Sequence, residues 1–425
     1  MRGTKQVQSS EFDSVLDATS WLDGGPEECG WYGTKVAAEI VGDSLEVLDK
    51  LEGAWRADPG SVWIGWLTYE FGREIKGERG RSGAPRLPGL CMRKYSDAVR
   101  LPPGAAPNDP RLVVGDVDPS WWPFESLRAK IDPPLFRELV ACAKKLISCG
   151  DTYQVNLSQE FDASFDTQVT PQGHGDAKWL SEMAGRVFAS LRARAPASMG
   201  ALLEAGDAWI VSNSPERLLS VTLGKGEGPD VARSSPIKGT RRRCDDPEED
   251  IAAIAELCAC PKERAEHVMI VDLVRNDLGR CAIPGTVRTS PTPHVATLPT
   301  VHHLVTDVVC DLRVGWTLRG LVDAMFPGGS VTGAPKRRTM DIIDALEEGR
   351  REIYCGAIVV LHPEGLDMSI PIRTALLDKE GLWLRSGGGI VADSDPERER
   401  VETITKTRAF DPRHVAGPNA GRMDV

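Results

Sequence analysis

The sequence lacks the apolar and basic segments that mark membrane proteins and nucleic-acid-binding proteins. No run approaches the roughly 20 apolar residues that a membrane-spanning helix needs. No basic stretch followed by an apolar core lies near Met1, so we expect neither a membrane partner nor a secretory signal. The net charge of -11 disfavours nucleic acid as a partner. The negative net charge does not exclude a small anionic ligand, because local cations and backbone amides determine whether such a ligand binds.

The ten cysteines include no Cys-x-x-Cys pair, and their closest approach is Cys258 and Cys260. Scattered thiols in a long chain without a signal are typical of reduced proteins, so we expect a cytoplasmic location. A zinc site of Cys258, Cys260 and His267 is an alternative to ordinary buried or half-buried helix thiols.

Predicted helices and strands are interspersed, but helices do not follow every strand. Apolar periodicity predicts helices over 134–147 and 177–194. This arrangement favours an α+β fold with antiparallel sheets over a doubly wound parallel sheet. A stretch rich in Pro, Asp and Gly at 101–123 predicts a crossing loop. The remaining predictions are helices at 247–278 and 317–350, a turn at 222–235, and strands at 153–158, 200–203, 208–211, 356–361, 367–378 and 381–391.

Two glutamate pairs recur at helical spacing, Glu263 with Glu266 and Glu399 with Glu402. Residues i and i+3 share one helix face, so each pair presents two carboxylates on the same side. Lys406 falls on the face of the second pair. Carboxylates suit Mg²⁺, which takes its remaining ligands from water and an anionic substrate. Solvated helix faces with salt bridges to nearby Arg and Lys are the alternative interpretation.

Two glycine-rich segments lie at 326–336 and 386–390, the second containing Gly387, Gly388 and Gly389. Glycines let backbone amides approach an anion closely. Neither segment matches the nucleotide-binding patterns GxxxxGK[ST] or GxGxxG in its strand–helix context. Carboxylate binding is therefore the preferred function, and a plain tight turn is the alternative.

Lys238 lies in the pentapeptide Pro-Ile-Lys-Gly-Thr at 236–240. A lysine nucleophile must lose its proton near neutral pH, which needs desolvation or nearby cations, and Arg241, Arg242 and Arg243 supply cations. A solvated loop lysine is the alternative. Glu216, in Ser-Pro-Glu-Arg at 214–217, is a candidate general acid or base.

Together these segments resemble the chorismate-utilising enzymes, which include the anthranilate, aminodeoxychorismate, isochorismate and salicylate synthases. The match runs in order over about 130–412 and is weaker in the N-terminal third, where 65–73 carry it. The segments are 214–217, 236–240, 266–280, Val-His-His-Leu-Val at 301–305, 326–336, Ile-Arg-Thr at 372–374 and 386–394.

The resemblance implies two large antiparallel sheets packed face to face, with helices outside and the site in the cleft between them. It also implies an N-terminal subdomain, 1–125, interleaved with a chorismate-binding catalytic domain, 126–425. The sequence departs from the family pattern at Arg242, Ala296 and Leu218, none of which is a catalytic position.

Two positions indicate which reaction the resemblance implies. Aminodeoxychorismate-forming members carry a lysine at the position of Lys238, where anthranilate-forming members typically carry alanine. Members that use water carry a lysine at the position of Gln154, where it acts as the base that activates water. A glutamine cannot act as this base. We therefore expect conversion of chorismate and ammonia to 4-amino-4-deoxychorismate, for p-aminobenzoate and folate, through a covalent Lys238 adduct. Anthranilate formation, both reactions together, and a non-catalytic regulator are the alternatives.

The resemblance also implies the role of each site residue. Glu266 and Glu402 are expected to bind Mg²⁺ directly, with Glu263 and Glu399 nearby or acting through water. Glu216 is expected to be the general acid, with His303 beside the leaving hydroxyl. The residues expected to hold the substrate are Thr240, Tyr354, Arg373, Lys406 and the amides around Gly387, Gly388 and Gly389, with Gln154 close by.

The sequence contains no glutaminase pattern GxCxG with a downstream catalytic histidine. We therefore expect ammonia to come from a separate glutamine amidotransferase subunit or from free ammonium salts.

Overall fold

The computed structural model describes residues 16–23, 29–75, 84–107, 118, 121–166, 168, 176–226, 228–298 and 301–411. The helices in this part of the chain are α1 (Glu46–Ala57), α2 (Tyr69–Ile75), α3 (Pro133–Ser148), α4 (Ala177–Arg194), α5 (Pro247–Ala259), α6 (Pro261–Gly279), α7 (Leu318–Met325), α8 (Lys336–Leu346) and α9 (Pro396–Thr407). Short 3-10 turns cover Gly329–Val331 and Arg408–Phe410.

The strands are β1 (Leu16–Asp23), β2 (Gly30–Gly42), β3 (Val62–Leu67), β4 (Leu90–Tyr95), β5 (Val99–Leu101), β6 (Arg128–Ala129), β7 (Gln154–Ser164), β8 (Met199–Ala205), β9 (Ala208–Ser214), β10 (Arg217–Thr222), β11 (Val231–Ser234), β12 (Ile237–Arg242), β13 (Arg288–Thr289), β14 (His294–Thr297), β15 (Val301–Val305), β16 (Val308–Asp311), β17 (Gly333–Ala334), β18 (Ala357–His362), β19 (Gly365–Ser369), β20 (Thr374–Leu377) and β21 (Gly381–Ile390).

Several helices begin where the sequence supplies a capping side chain. Asp132, Asp176 and Asp246 each accept a hydrogen bond from a backbone amide in the first turn of the helix that follows. Asp395 does the same for α9, and Pro396 occupies the first helical position, where its missing amide hydrogen costs nothing. The predicted helix 177–194 coincides with α4.

One predicted segment differs from the structure, because the predicted turn at 222–235 contains β11, which pairs with β10 and β16. The region 317–350, where the sequence predicts helices, contains α7 and α8. Pro327 and Pro335 lie between the two helices, and the residue before a proline is disfavoured in helical geometry.

The strands of the main sheet pair antiparallel throughout, as the sequence predicts. Eighteen strands form one hydrogen-bonded network, and β12, β15 and β14 form a separate small sheet. The pairings run in the order β6, β7, β21, β20, β9, β8, β1, β2, β4, β3, β18, β19, β10, β11, β16 and β13, with β17 on β7 and β5 on β2.

This network folds into two layers that pack face to face. Alternate residues of β3 point to opposite sides, so Ile64 and Trp66 enter the core between the layers while Trp63 and Leu67 enter an outer core. The opposing layer contributes Ile210 of β9 to the same inner core. The outer cores are covered by helices, α1, α6, α7 and α8 on one side and α4 on the other. The predicted α+β fold with two packed antiparallel layers and outer helices is confirmed.

Strands from the first 125 residues pair with strands from the rest of the chain, β1 with β8 and β3 with β18. The predicted boundary near residue 125 stays a prediction, which limited proteolysis would test. Among the helices that the structure describes, none is long and apolar enough to cross a membrane.

Candidate active site

Lys238 lies on β12, at an irregularity in the pairing of β12 with β15. Gly239 follows it with φ 94, which favours glycine, and a Cβ there would lie 3.2 Å from Oε2 of Glu263. The Nζ atom of Lys238 lies 2.8 Å from Oε2 of Glu266. The Pro-Ile-Lys-Gly-Thr segment therefore brings an amine against the carboxylates of α6.

The pKa of Lys238 lies above its ordinary value. Burial by itself lowers this pKa, but the negative charges of Glu266, Glu402 and Glu263 outweigh burial and raise it. Arg241 is instead paired with Glu256 at 3.0 Å and Glu263 at 3.4 Å. The prediction that the neighbouring arginines lower the pKa of Lys238 is therefore wrong for this arrangement.

Each of the four glutamates has a partner in the protein. Arg241 contacts Glu263 and Lys238 contacts Glu266, while Lys406 pairs with Oε1 of Glu402 at 2.6 Å. The hydroxyl of Ser394 donates to Oε1 of Glu399 at 2.6 Å, and its oxygen accepts the amide of Val391. The described residues contain no group of three or more His, Cys, Asp or Glu poised around one metal position.

The donor set nevertheless fits Mg²⁺. This ion commonly takes one or two carboxylates and completes its shell with water and substrate oxygens, so three converging acids are not required. The cationic Lys238 lies within electrostatic reach of acids on both α6 and α9. A Cβ at Gly388 would lie 3.1 Å from Oε2 of Glu399 and 3.4 Å from Oε1 of Glu402. Glycine at 388 therefore leaves room beside the α9 carboxylates.

Glu216 is a buried acid between β9 and β10. Burial raises its pKa to about 7, while a hydrogen bond from Ser330 and the charges of Lys238 and Lys406 act in the opposite direction. Ser330 donates to Oε1 of Glu216 at 2.8 Å. Near neutral pH a substantial fraction of this side chain therefore carries a proton that it can deliver.

His303 on β15 faces the same region as Lys238. Its Nδ1 atom shares a 2.9 Å hydrogen bond with the hydroxyl of Thr240, and its buried Nε2 has no hydrogen-bond partner in the described structure. Burial, followed by the charge of Arg373, lowers the pKa of His303 to about 4, so the ring is neutral at physiological pH. His302 is the neighbouring residue on β15, and its Nε2 atom shares a 2.9 Å hydrogen bond with Asp250.

Arg373 is a cation that makes no ion pair or side-chain hydrogen bond with the described part of the chain. Burial lowers the pKa of its guanidinium, and its backbone is held at φ 50, a conformation that non-glycine residues rarely adopt. A half-buried guanidinium that meets no acid in the described part of the chain is matched to a carboxylate ligand.

The triple glycine lies inside strand β21. Gly387, Gly388 and Gly389 pair with β7, whereas β20 pairs with β21 only at 382–384. Alternate amides beyond residue 384 therefore face away from β7. Gly389 packs against Gln154, where a Cβ would lie 3.0 Å from the amide group. The Oε1 atom of Gln154 is buried and has no partner in the described structure.

Tyr354, one of the residues predicted to bind the substrate, is buried. The amide of Asn156 donates to its hydroxyl at 3.5 Å, and Arg351 lies 5.6 Å from its ring centre. Burial raises the pKa of Tyr354 well above its usual range. Beneath it, Glu347 joins Arg351 at 2.6 Å and Arg385 at 3.3 Å in a buried cluster.

The sequence does not predict two kinds of feature near the site. These are the serines beside acids, Ser330 and Ser394, and the buried cluster of Arg351, Glu347 and Arg385. The two serines lie inside motifs that were recognised, but a hydroxyl beside an acid is visible only once distant segments meet. The cluster joins residues whose sequence gives no periodic signal.

The site brings together groups that suit a small polycarboxylate. A protonatable acid lies within electrostatic reach of an amine. The other groups are a neutral imidazole, a guanidinium that meets no acid among the described residues, and carboxylates able to hold a divalent cation. The chain belongs to the chorismate binding enzyme family, whose pattern it matches over residues 35–412.

Proteins with similar sequences include aminodeoxychorismate synthases and anthranilate synthases. Aminodeoxychorismate synthase component 1 of Salmonella typhimurium is 43% identical over 258 residues, which cover 60% of this chain and 52% of that protein. Anthranilate synthase component 1 1 of Haloarcula marismortui is 35% identical over 387 residues, covering 82% and 74%. The chain spans about half the length, or less, of the first curated relatives that it matches.

Solved structures show the same architecture. Anthranilate synthase component I from Streptococcus pneumoniae superposes with a TM-score of 0.69 at 25% identity, covering 96% of this chain and 95% of that chain.

Proposed function

We propose that this chain converts chorismate and ammonia to 4-amino-4-deoxychorismate. The observation that carries the proposal is the position of Lys238, whose amine lies in the cleft beside Glu266 and within electrostatic reach of the protonatable Glu216. An amine in this position supplies a nucleophile, and covalent catalysis divides one difficult displacement into two easier ones.

In the first step, Nζ of Lys238 leaves Glu266, loses a proton to solvent and forms a bond to C2 of chorismate. Both ring double bonds shift by one position, the C4–oxygen bond breaks, and Glu216 donates its proton so that the hydroxyl departs as water. In the second step ammonia forms a bond to C4, both double bonds shift back, the bond between C2 and Nζ breaks, and Lys238 leaves as an amine. The proton released by the new C4 ammonium group returns to Glu216. The neutral His303, with its unpartnered Nε2, is positioned to hold the leaving hydroxyl.

The substrate's carboxylates have separate partners in this proposal. Arg373 and the open amides along Gly387, Gly388 and Gly389 hold the enolpyruvyl carboxylate. Glu266 and Glu402 would hold Mg²⁺, with Glu263 and Glu399 assisting, and the ion would supply positive charge to the ring carboxylate. Lys406, which pairs with Glu402 and donates to the carbonyl of Gly387 at 3.0 Å, ties α9 to the glycine strand.

We propose that ammonia comes from a separate glutamine amidotransferase subunit. The absence of a glutaminase pattern from this sequence supports this assignment, as does the name "component 1" of the Salmonella relative. All ten cysteines are free, which supports a reducing, cytoplasmic compartment.

Mass spectrometry of the products tests the proposal. Purified protein is mixed with chorismate, Mg²⁺ and an ammonium salt, and the expected product is aminodeoxychorismate without pyruvate. Lys238→Ala should abolish this product. Lys50→Met, an exposed charge change on α1, should leave it unchanged.

Anthranilate formation is the second candidate, favoured by the relatives from Haloarcula marismortui and Streptococcus pneumoniae that carry the anthranilate synthase name. Anthranilate together with pyruvate from the wild-type protein, at a rate that Lys238→Ala does not change, would replace the first proposal with this one.

A further inference from the structure

Lys238 makes a direct ion pair with Glu266. The 2.8 Å distance between Nζ and Oε2 is that of a direct charge-assisted hydrogen bond. The side chains are 27% and 15% exposed, so water screens the pair less than it screens a surface salt bridge. In the described part of the chain this is the one ion pair of Lys238 within 4.0 Å.

The other cations near these acids have further partners that hold them in place. Arg241 contacts Glu256 as well as Glu263, and Lys406 also donates to the carbonyl of Gly387. Both can stay anchored if a neighbouring carboxylate is taken by another cation. Lys238 has no such second contact, so loss of Glu266 leaves its ammonium group free to move.

We propose that Lys238 is the resident counter-ion of Glu266 and that a divalent cation must displace it to bind there. This inference rests on the metal role in the proposed function. An oxygen of Glu266 cannot keep an ammonium group at 2.8 Å while coordinating a divalent ion without strong repulsion between the two cations. The ammonium group and the metal therefore compete for one carboxylate.

The competition links metal binding to the use of the amine. Before the metal arrives, the ion pair holds Nζ against α6. When the metal takes Glu266, Nζ is released towards the cleft where the substrate binds.

Metal affinity, measured without turnover, tests the inference. Electron paramagnetic resonance of free Mn²⁺ gives the dissociation constant of Mn²⁺ for the wild-type protein, Lys238→Met, Lys238→Gln and Lys238→Arg. Circular dichroism confirms that each variant is folded. The expected result is binding up to about fivefold tighter in Lys238→Met and Lys238→Gln, since fivefold is the upper end of the effect of a partly exposed ion pair. Lys238→Arg, which keeps the charge, should bind no tighter than the wild type.

Two further variants test whether the change in Mn²⁺ affinity arises from the pair of Lys238 with Glu266. Lys50→Met changes the net charge by the same amount on an exposed face of α1 and should leave Mn²⁺ affinity unchanged. Glu266→Gln should abolish the gain that Lys238→Met produces. Equal or weaker Mn²⁺ binding in folded Lys238→Met and Lys238→Gln would overturn the inference, and so would a gain that persists without Glu266.

Product analysis separates this inference from the proposed function. If wild-type protein makes no aminodeoxychorismate while Lys238→Met binds Mn²⁺ more tightly, the reaction assignment fails and the counter-ion role is upheld. If the product forms but the affinities do not change, the counter-ion role fails and the reaction assignment is upheld.

Discussion

Ser330 donates a 2.8 Å hydrogen bond to one carboxylate oxygen of Glu216. The two residues are 114 positions apart in the sequence and meet because the 3-10 turn at Gly329–Val331 packs beside the end of β9. The hydrogen bond favours the charged form of an acid whose burial favours the neutral form. The balance leaves Glu216 with a pKa of about 7.

Ser330→Ala should move the alkaline limb of the activity profile to higher pH. A general acid is active when protonated, so wild-type activity should fall as pH rises through about 7, the pKa of Glu216. Removal of the hydroxyl takes away a contact that lowers this pKa, so the pKa rises and activity persists further into the alkaline range. The measurement is kcat/KM as a function of pH. Ser235→Ala, which removes a similar 2.6 Å contact with Asp307, is the control and should leave the limb in place. A limb that stays fixed or moves to lower pH in Ser330→Ala would contradict the assignment of Glu216.

His303 should be neutral at pH 7 and should titrate near pH 4. Burial and the charge of Arg373 both oppose a positive charge on the ring. Replacement of Arg373 by Met should therefore raise the pKa of His303, whereas Arg338→Met, at an exposed pair with Asp151, should not. Nitrogen-15 chemical shifts of labelled histidine side chains report both the charge and the pKa. A protonated His303 at pH 7 in the wild type would show that the site differs from this description.

Gly388→Ala should weaken metal binding without unfolding the protein. The added methyl carbon would lie 3.1 Å from a carboxylate oxygen of Glu399 and 3.4 Å from one of Glu402, so both side chains must shift. The expected result is at least about a tenfold rise in the Mn²⁺ dissociation constant, the low end of the change seen when the support of a metal ligand is lost. Gly53→Ala is the matched control, because a Cβ on this exposed position of α1 meets nothing within 4 Å and should be neutral or slightly stabilising. Unchanged Mn²⁺ affinity in Gly388→Ala would separate these glutamates from the metal.

Glu347→Gln should destabilise the fold by about 3–5 kcal/mol, the usual effect of removing one partner from a buried ion cluster. Glu347 is fully buried and accepts hydrogen bonds from Arg351, Arg385 and Ser158. Without its charge, two buried guanidinium groups lose their counter-ion. Urea unfolding monitored by tryptophan fluorescence measures the change, and Asp272→Asn, in an exposed pair with Arg275, should have little effect. A change as small as that of the exposed pair would show that the cluster tolerates loss of its acid.

Local patterns in the sequence were sufficient to predict several elements. The helix at 177–194 follows from its apolar periodicity and the capping Asp176, and it was predicted with the boundaries observed. The interior of 222–235 was predicted poorly, because β11 is short and is stabilised by pairing with β16, almost 80 residues away. The region 317–350, where the sequence predicts helices, contains α7 and α8, and Pro327 and Pro335 lie between them.

The sequence by itself determined the antiparallel α+β class, the family, and the chemical identity of the site residues. Spacing places Glu263 with Glu266, and Glu399 with Glu402, on shared helix faces, and this depends only on the geometry of one helix. Only the tertiary structure decided the pKa shifts of Lys238 and Glu216. The pKa of Lys238 is raised rather than lowered because acids from α6 and α9 surround it, and the pKa of Glu216 is near 7 because the fold buries it beside Ser330. Electrostatic energies depend on distance and burial in space, and the order of residues along the chain specifies neither.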